Sequence, residues 1–443
     1  MQFEFAAPSG RDTDNRTANT ARLLNMYRES AGDGSIWCRS MPGMTQFATT
    51  AKVFCRAMAE VDDEIYVAQG GTLFQITSGG SAVTLGAIVD DVETSISGNN
   101  GNVTVVAGGV YYVWDGATLT QPTGGAFSTF GDVTFFAQLT ILTEDGGRRV
   151  QWSGLADPTS LGALDFATTE ARDDKILRVM PVGSALWFLK DTSIEPWYST
   201  GTGVAATPGA TIERGLKSRN LAVQIPGGAF FVGDDNNVYI GNMGGLQDIS
   251  ITAVSVAIAD GTPERVFYFE SLGNKFCALI FGDRPAWVYN TLSGEWCERA
   301  QGVLLGAWDA KACVKALGTW YVGTDSGPVA TLGRTNQDFG ATMIRRIISR
   351  TIEQDGKRFT IPQVQVRTKV GVFDAAPELG MRMSNTFGLT WQVDRTDAPQ
   401  TLGELGEYLN RTIFRRLGSY RQATMELTLS TTDDVTISSV AYV

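Results

Sequence analysis

The sequence predicts a mainly β protein, a six- or seven-bladed β-propeller followed by a small C-terminal β-sandwich domain. Three observations lead there. Alternating apolar segments around Gly-rich turns recur through the first three quarters of the chain, their starts roughly 30 to 50 residues apart, as propeller blades would be. Helical periodicity is nearly absent between them. Beyond residue 339 the strand-like segments shorten and crowd together, as in a small sandwich.

Taken in order, residues 1–40 are polar and interrupted by Pro8-Ser9-Gly10 and by Gly32-Asp33-Gly34, so they read as an N-terminal arm and lead-in. Residues 41–338 carry the repeated hairpins. Ile65-Tyr66-Val67, Gln69-Gly70-Gly71 and Leu73-Phe74-Gln75-Ile76 form strand, turn and strand. The pattern returns at 103–114 and around 133–142, 185–198, 229–240, 275–289 and 319–330. An antiparallel array of this length must dispose of its edges, and radial closure does so. A large β-sandwich is the alternative architecture, because neither a WD nor a kelch signature is present. From the hairpin spacing, the innermost strands are predicted to include 65–67, 103–107, 229–232 and 319–322. Residues 339–443 contain further strand-like segments at 344–348, 360–370, 381–383, 390–393, 411–414, 425–429 and 435–443. Trp391, Tyr408 and Leu417 are the expected core of that C-terminal sandwich.

Composition narrows the chemistry. The chain has 443 residues and 43% hydrophobic content, ample for two or three domains with large cores. No apolar run reaches the roughly 18 residues a membrane helix needs, so no membrane insertion is expected. Met1-Gln2-Phe3-Glu4-Phe5 lacks the layout of a secretory signal, which predicts synthesis in a cytoplasm. The five cysteines are scattered without a CxxC pair and read as reduced, buried thiols. The chain contains no histidine, which removes Ser-His-Asp and Cys-His nucleophiles and nearly every transition-metal site. Carboxylate-only chemistry, as in glycosidases, survives that test. Net charge is −11; residues 1–40 are neutral and 340–443 carry +2, which leaves −13 on residues 41–339. Such an acidic body does not recruit nucleic acid.

Each candidate site also has a plainer role. Asp62-Asp63-Glu64 and Asp234-Asp235-Asn236-Asn237 hold possible cation ligands, but hairpin turns use the same residues. Glu195-Pro196-Trp197 has a carboxylate beside an aromatic, as a sugar platform would, and equally suits a buried blade strand. Ser384 to Trp391 approximates the S-x-D-x-G-x-T-W box of sialidase-like propellers with Thr386 in place of the aspartate, and that box is a folding element remote from catalysis. No catalytic residue, cofactor site or metal site is assigned. Arg345, Arg346, Arg411, Arg415, Arg416 and Arg421 are the candidate contacts between protomers, where acidic neighbours would pair with them.

Several motifs together resemble a known family. Asn25-Met26-Tyr27-Arg28-Glu29 and Arg39-Ser40-Met41-Pro42-Gly43 with Phe47 resemble the N-terminal elements of the tail nozzle, or packaged-DNA-stabilisation, proteins of short-tailed phages. Ser193-Ile194-Glu195-Pro196-Trp197-Tyr198-Ser199-Thr200-Gly201, then Glu213-Arg214-Gly215, are similar to its mid-chain strand and the element after it. Trp287-Val288-Tyr289-Asn290 with Gly294-Glu295-Trp296, and the run from Gly406-Glu407-Tyr408 through Arg411 and Arg415-Arg416-Leu417-Gly418 to Arg421, resemble its late blade and C-terminal signature. The sequence departs from the family's acidic turn at Asn385-Thr386-Phe387 and has Phe414 where a Trp is usual. The resemblance implies a virion tail protein assembled as a homo-oligomer, a hexameric ring, beneath the portal-adaptor ring. It would bear the tail tip, needle or fibres, and duplex DNA would pass through it without specific binding. A carbohydrate-binding or glycosidase propeller of a phage tail is the alternative from another class; a sialidase would need an arginine cluster and a tyrosine–glutamate pair on inner strands.

Overall fold

The computed structural model describes residues 6–10, 19–30, 36–207, 210–374, 376–396 and 399–442; the Met1-to-Phe5 segment and the Gly32-Asp33-Gly34 breaker lie outside them. The described chain is mainly β and is built as a propeller. Seven antiparallel sheets of four strands follow one another. The first comprises Cys55–Val61, Glu64–Gln69, Thr72–Ile76 and Ala82–Ala87. The second comprises Ser95–Asn99, Asn102–Ala107, Val110–Trp114 and Leu119–Thr120; the third Phe130–Phe136, Leu139–Glu144, Arg149–Gly154 and Asp157–Thr168. The fourth holds Ile176–Val182, Ala185–Lys190, Ile194–Ser199 and Val204–Ala206, and the fifth Ala222–Ile225, Gly228–Val232, Val238–Asn242 and Gly245–Asp248. The sixth holds Pro263–Ser271, Asn274–Phe281, Ala286–Asn290 and Glu295–Arg299. The seventh takes three strands from late in the unit, Ala310–Ala316, Thr319–Thr324 and Pro328–Gly333, and its outer strand, Gly43–Thr49, from the N-terminal side. That exchange ties the two ends of the unit together, so opening the ring would break a full strand ladder.

The first strand of each sheet lies against the first strand of the next, and Ala310–Ala316 returns to Cys55–Val61, closing the cycle. These first strands are therefore innermost. The segments expected there, 65–67, 103–107, 229–232 and 319–322, are instead second strands. The physical reason is burial. A second strand has a sheet neighbour on both sides and a packed sheet on both faces, so it reads as a continuous apolar run; Val103, Val105, Ala229, Phe230 and Val322 are fully buried. An innermost strand faces an axial space with one surface and tolerates polar residues. Between adjacent sheets run apolar layers such as Leu186, Phe188 and Trp197 packed on Ile141 and Val150.

Tight turns join the strands. Asp62 and Asp63 take left-handed conformations (φ 53° and 62°) between the first two strands of the first sheet, the geometry of a two-residue hairpin. Asn236 (φ 67°) does so in the Asp234-to-Asn237 turn, where Asp235 accepts a hydrogen bond from the Tyr239 hydroxyl at 2.6 Å.

The described part of the arm expected at 1–40 is largely built into sheets. Arg22–Leu24 pairs in parallel with Glu295–Arg299 and antiparallel with Ile344–Ile348, so the sixth sheet runs on into Gln422–Ser430 and Glu378–Ser384. Met26–Ser30 and Ile36–Ser40 join Ile437–Tyr442, Gln363–Thr368 and Thr412–Arg415 in a second sheet. A single apolar core spans both parts: Phe267, Phe269 and Trp308 of the propeller pack in one cluster with Met381, Leu417, Met425 and Leu427. Of the expected C-terminal core residues, Leu417 is fully buried, whereas Tyr408 is 67% exposed. Trp391 is half-buried with the Arg382 guanidinium 4.5 Å from its ring centre. Tyr408 sits in a turn between strands, and an aromatic residue type alone does not report that.

Candidate functional site

Two groups of basic side chains stand out, one on the C-terminal unit and one on the propeller axis. Strand alternation sorts the first group. Arg345 points inward from Ile344–Ile348 and is fully buried; it donates to Ser40 Oγ at 2.7 Å, to the Asp433 carbonyl at 3.0 Å and to the Thr431 carbonyl at 2.5 Å. Burial pushes its pKa down to about 10. Arg345 therefore clamps the 431–433 turn to the N-terminal strand and is not a surface contact, contrary to the sequence-based expectation. In Ile344-Arg345-Arg346-Ile347 the two arginines look equivalent, and only the sheet that covers one face distinguishes them.

Arg346 is half-buried and lies 3.9 Å from Glu426, which also receives Arg382 Nε at 2.9 Å. Arg411, Arg415, Arg416 and Arg421 are exposed, and among the described residues none of them has a carboxylate partner. Arg415 ends the edge strand Thr412–Arg415, and the loop before that strand exposes Leu405, Tyr408 and Leu409. Exposed arginines beside aromatic and aliphatic side chains on a free sheet edge have the composition of an interface.

The second group surrounds the propeller axis. A cavity of about 210 Å³ lies at the leading ends of the innermost strands, lined by Arg178, Arg265 and Lys311 together with Thr94, Ser95 and Thr134. No acidic side chain and no tyrosine lines it. The segment 90–94, between the first and second sheets, reaches across the ring over this mouth. Asp90 accepts from Arg56 Nε of the first sheet at 2.7 Å. The Val92 carbonyl accepts from Asn220 at 2.9 Å and from Arg265 at 2.5 Å, and Glu93 pairs with Arg219 at 3.2 Å. Lys311 is neutralised by Glu264 and, at 3.4 Å, by Asp325. Burial lowers the pKa of Arg265, and the positive neighbours Arg178 and Arg56 add to that. Burial likewise raises the Cys55 thiol to about 12, so Cys55 supplies no negative charge here at neutral pH.

The arginines of the innermost strands do not stand out in the sequence, because the more apolar second strands read as the innermost ones. A signal was present: in 176–182, 263–271 and 310–316 a basic residue stands near the start of the strand that precedes the most apolar one. The Glu195-Pro196-Trp197 carboxylate faces inward, accepting from Trp197 Nε1 at 2.8 Å and lying 3.4 Å from the fully buried Lys190. Lys190 also pairs with Asp174 at 2.6 Å, so this triad is buried inside the fourth sheet and its connections. Ser384 Oγ accepts from the Thr386 and Gly388 amides at 3.1 and 2.9 Å, and Phe387 and Gly388 both have positive φ, so the turn closes without the family's acidic pair. The five cysteines are free thiols, four of them buried. Among the described residues no group of three or more His, Cys, Asp or Glu could hold a metal ion.

Comparison with known proteins adds one strong match. The family model "Phage_stabilise: Bacteriophage P22 Gp10, beta-propeller" matches residues 8–337. Among solved structures, the computationally designed Ika8 protein aligns with TM-score 0.40 and 13% identity, covering 65% of this chain and 99% of its own. The Cps50 (Swd1) beta-propeller domain from Myceliophteria thermophila aligns with TM-score 0.46 and 8% identity, covering 65% and 98%. No curated protein sequence matches the chain significantly.

Proposed function

This chain belongs to the phage-stabilisation family of bacteriophage P22 Gp10, a family of phage structural proteins, and we propose that it is the nozzle of a short-tailed phage's tail. The family match over residues 8–337 is the observation that carries this reading. In it the seven four-stranded sheets are seven blades, and the two sheets beside residues 344–442 form a sandwich built with strands from the N-terminal segment. The protein acts without catalysis, as a ring of identical copies, six by the resemblance drawn from the sequence. It sits below the portal-adaptor ring, mounts the tail tip or fibres, retains the packaged genome and releases it at ejection.

Two features suit that role. Arg411, Arg415, Arg416 and Arg421 beside Leu405, Tyr408 and Leu409 offer a basic and apolar edge, and the −13 of residues 41–339 offers an acidic surface for a neighbouring copy to present to it. The propeller's own axis, narrowed to about 210 Å³ and crossed by residues 90–94, leaves no room for a duplex. The DNA path in this reading is therefore enclosed between protomers. An acidic lining would keep the duplex sliding, since each phosphate contact by Lys or Arg adds salt-dependent affinity.

Native mass spectrometry and electron microscopy of the purified chain with its adaptor ring test the reading. A six-fold ring with an open central bore, located in the tail by antibody labelling of particles, is expected. A monomer in the particle, or labelling outside the tail, would overturn it. The purified protein should also show no measurable binding to duplex DNA at about 0.15 M salt.

A further inference from the structure

We propose that the axial cavity is a binding site for one small oxyanion of the phosphate or sulfate class, held between the guanidinium groups of Arg178 and Arg265. The basis is an uncompensated charge. Five basic side chains converge on this mouth, and carboxylates neutralise three of them: Asp90 pairs with Arg56, Glu93 with Arg219, and Glu264 with Lys311. Arg178 and Arg265 have no carboxylate partner among the described residues. Arg178 donates to the Arg219 carbonyl at 3.1 Å, but its buried Nε has no hydrogen-bond partner. Arg265 makes its hydrogen bond to the Val92 carbonyl, and the carboxylate acting most strongly on it is Asp325, which is already paired with Lys311 at 3.4 Å.

Two like charges brought together in a partly enclosed cavity repel each other, which favours an anion or hydrogen-bond acceptors between them. A tetrahedral oxyanion supplies both, because its oxygens accept from the planar forks of two arginines and from hydroxyl groups such as those of Thr94, Ser95 and Thr134. A cavity of about 210 Å³ holds such an ion with several waters. Nucleic-acid phosphates are excluded by size, because segment 90–94 spans the mouth and a strand could not follow its phosphate in. An ion there would join the fourth and sixth sheets electrostatically across the ring and stiffen the propeller against radial load.

The test uses the full-length protein, with thermal melting and isothermal titration in inorganic phosphate, in sulfate, and in chloride at matched ionic strength. Saturable binding of one ion is expected, with a melting rise of about 3 °C when the anion exceeds its Kd a hundredfold. R178Q and R265Q should each abolish that rise. In chloride alone each variant should melt within about 1 °C of the parent, because the repulsion removed offsets the carbonyl hydrogen bond lost. If phosphate and sulfate act on the parent chain no differently from chloride, the site does not exist. If binding persists in both variants, the ion is held elsewhere, and the assignment fails equally. Should either variant not fold, the titration of the parent and the other variant decide the question.

Discussion

Replacing Arg299 by Met should be among the most damaging single changes in this protein, although the residue lies far from any exposed face. Arg299 ends the outer strand of the sixth sheet and is 1% exposed. Its guanidinium pairs with the buried Asp338 at 2.6 Å, reaches Asn25 Oδ1 at 3.3 Å and the Pro42 carbonyl at 3.4 Å, and lies 5.0 Å from the Trp308 ring centre. It thus joins the N-terminal strands, the sixth and seventh sheets and the exit toward the C-terminal unit. Asp338 Oδ1 also accepts from the Met44 amide at 3.2 Å, at the strand that closes the ring. Methionine fills much of the volume but leaves the Asp338 carboxylate buried without its counter-charge, a loss of about 3–5 kcal/mol. At about 2.1 cal/mol/K per residue the unfolding entropy of 443 residues is about 0.9 kcal/mol/K, which converts the loss to a melting decrease of about 3–5 °C. The shared core of the propeller and C-terminal unit favours a single transition. Differential scanning calorimetry provides the measurement, and R299M/D338L should regain most of the decrease by removing both charges. A single variant within about 1 °C of the parent would refute the reasoning, as would a double variant no better than the single one.

The ring-closing strand gives a second test. A Cβ on Gly43 would stand 2.2 Å from the Gln337 carbonyl oxygen, so Gly43→Ala must displace backbone and should cost on the order of 3 kcal/mol, read as a lower melting temperature and faster limited proteolysis. Arg345→Met should lower stability with assembly following only the folded fraction. R415E/R416E should leave melting within about 1 °C but weaken oligomerisation, as sedimentation would report; the reverse ranking would contradict the division between clamp and edge. Acid sensitivity should depend on Asp174. Burial works to raise its pKa, but hydrogen bonds from Lys190, Ser193 and Thr192 outweigh burial and leave it below its ordinary 3.8. Its contribution is therefore fully present above the unfolded value and is lost as pH falls through the lower folded value. D174N should be less stable at pH 7 and lose less stability toward pH 3 than the parent; parallel melting–pH profiles would count against this.

Much of the propeller was legible because its signals are local. Gly-rich hairpin turns and period-2 strands recur at blade spacing whatever the neighbours do. The order of strands within each sheet was not legible, since an apolar run reports burial on two faces and says nothing of distance from the axis. Arg178 and Arg265 were missed for that reason. Arg345 was misplaced because identity at one position carries no record of which face a distant strand will cover. Tyr408 and Trp391 were overvalued as core for the same reason.

By itself, the sequence determined the β class, the repeat, the absence of histidine chemistry, the uneven charge and the motifs that mark the family. Each is a property of composition or of residues close together along the chain. Tertiary structure alone decided that Gly43–Thr49 completes the last sheet, that Arg22–Leu24 splices the sixth sheet to the C-terminal strands, and that arginines from separate sheets meet on the axis. These pairings join residues hundreds of positions apart, such as Met44 with Leu332 and Leu24 with Glu298. Their energy comes from closing a ring around a shared core, and no local segment contains that term.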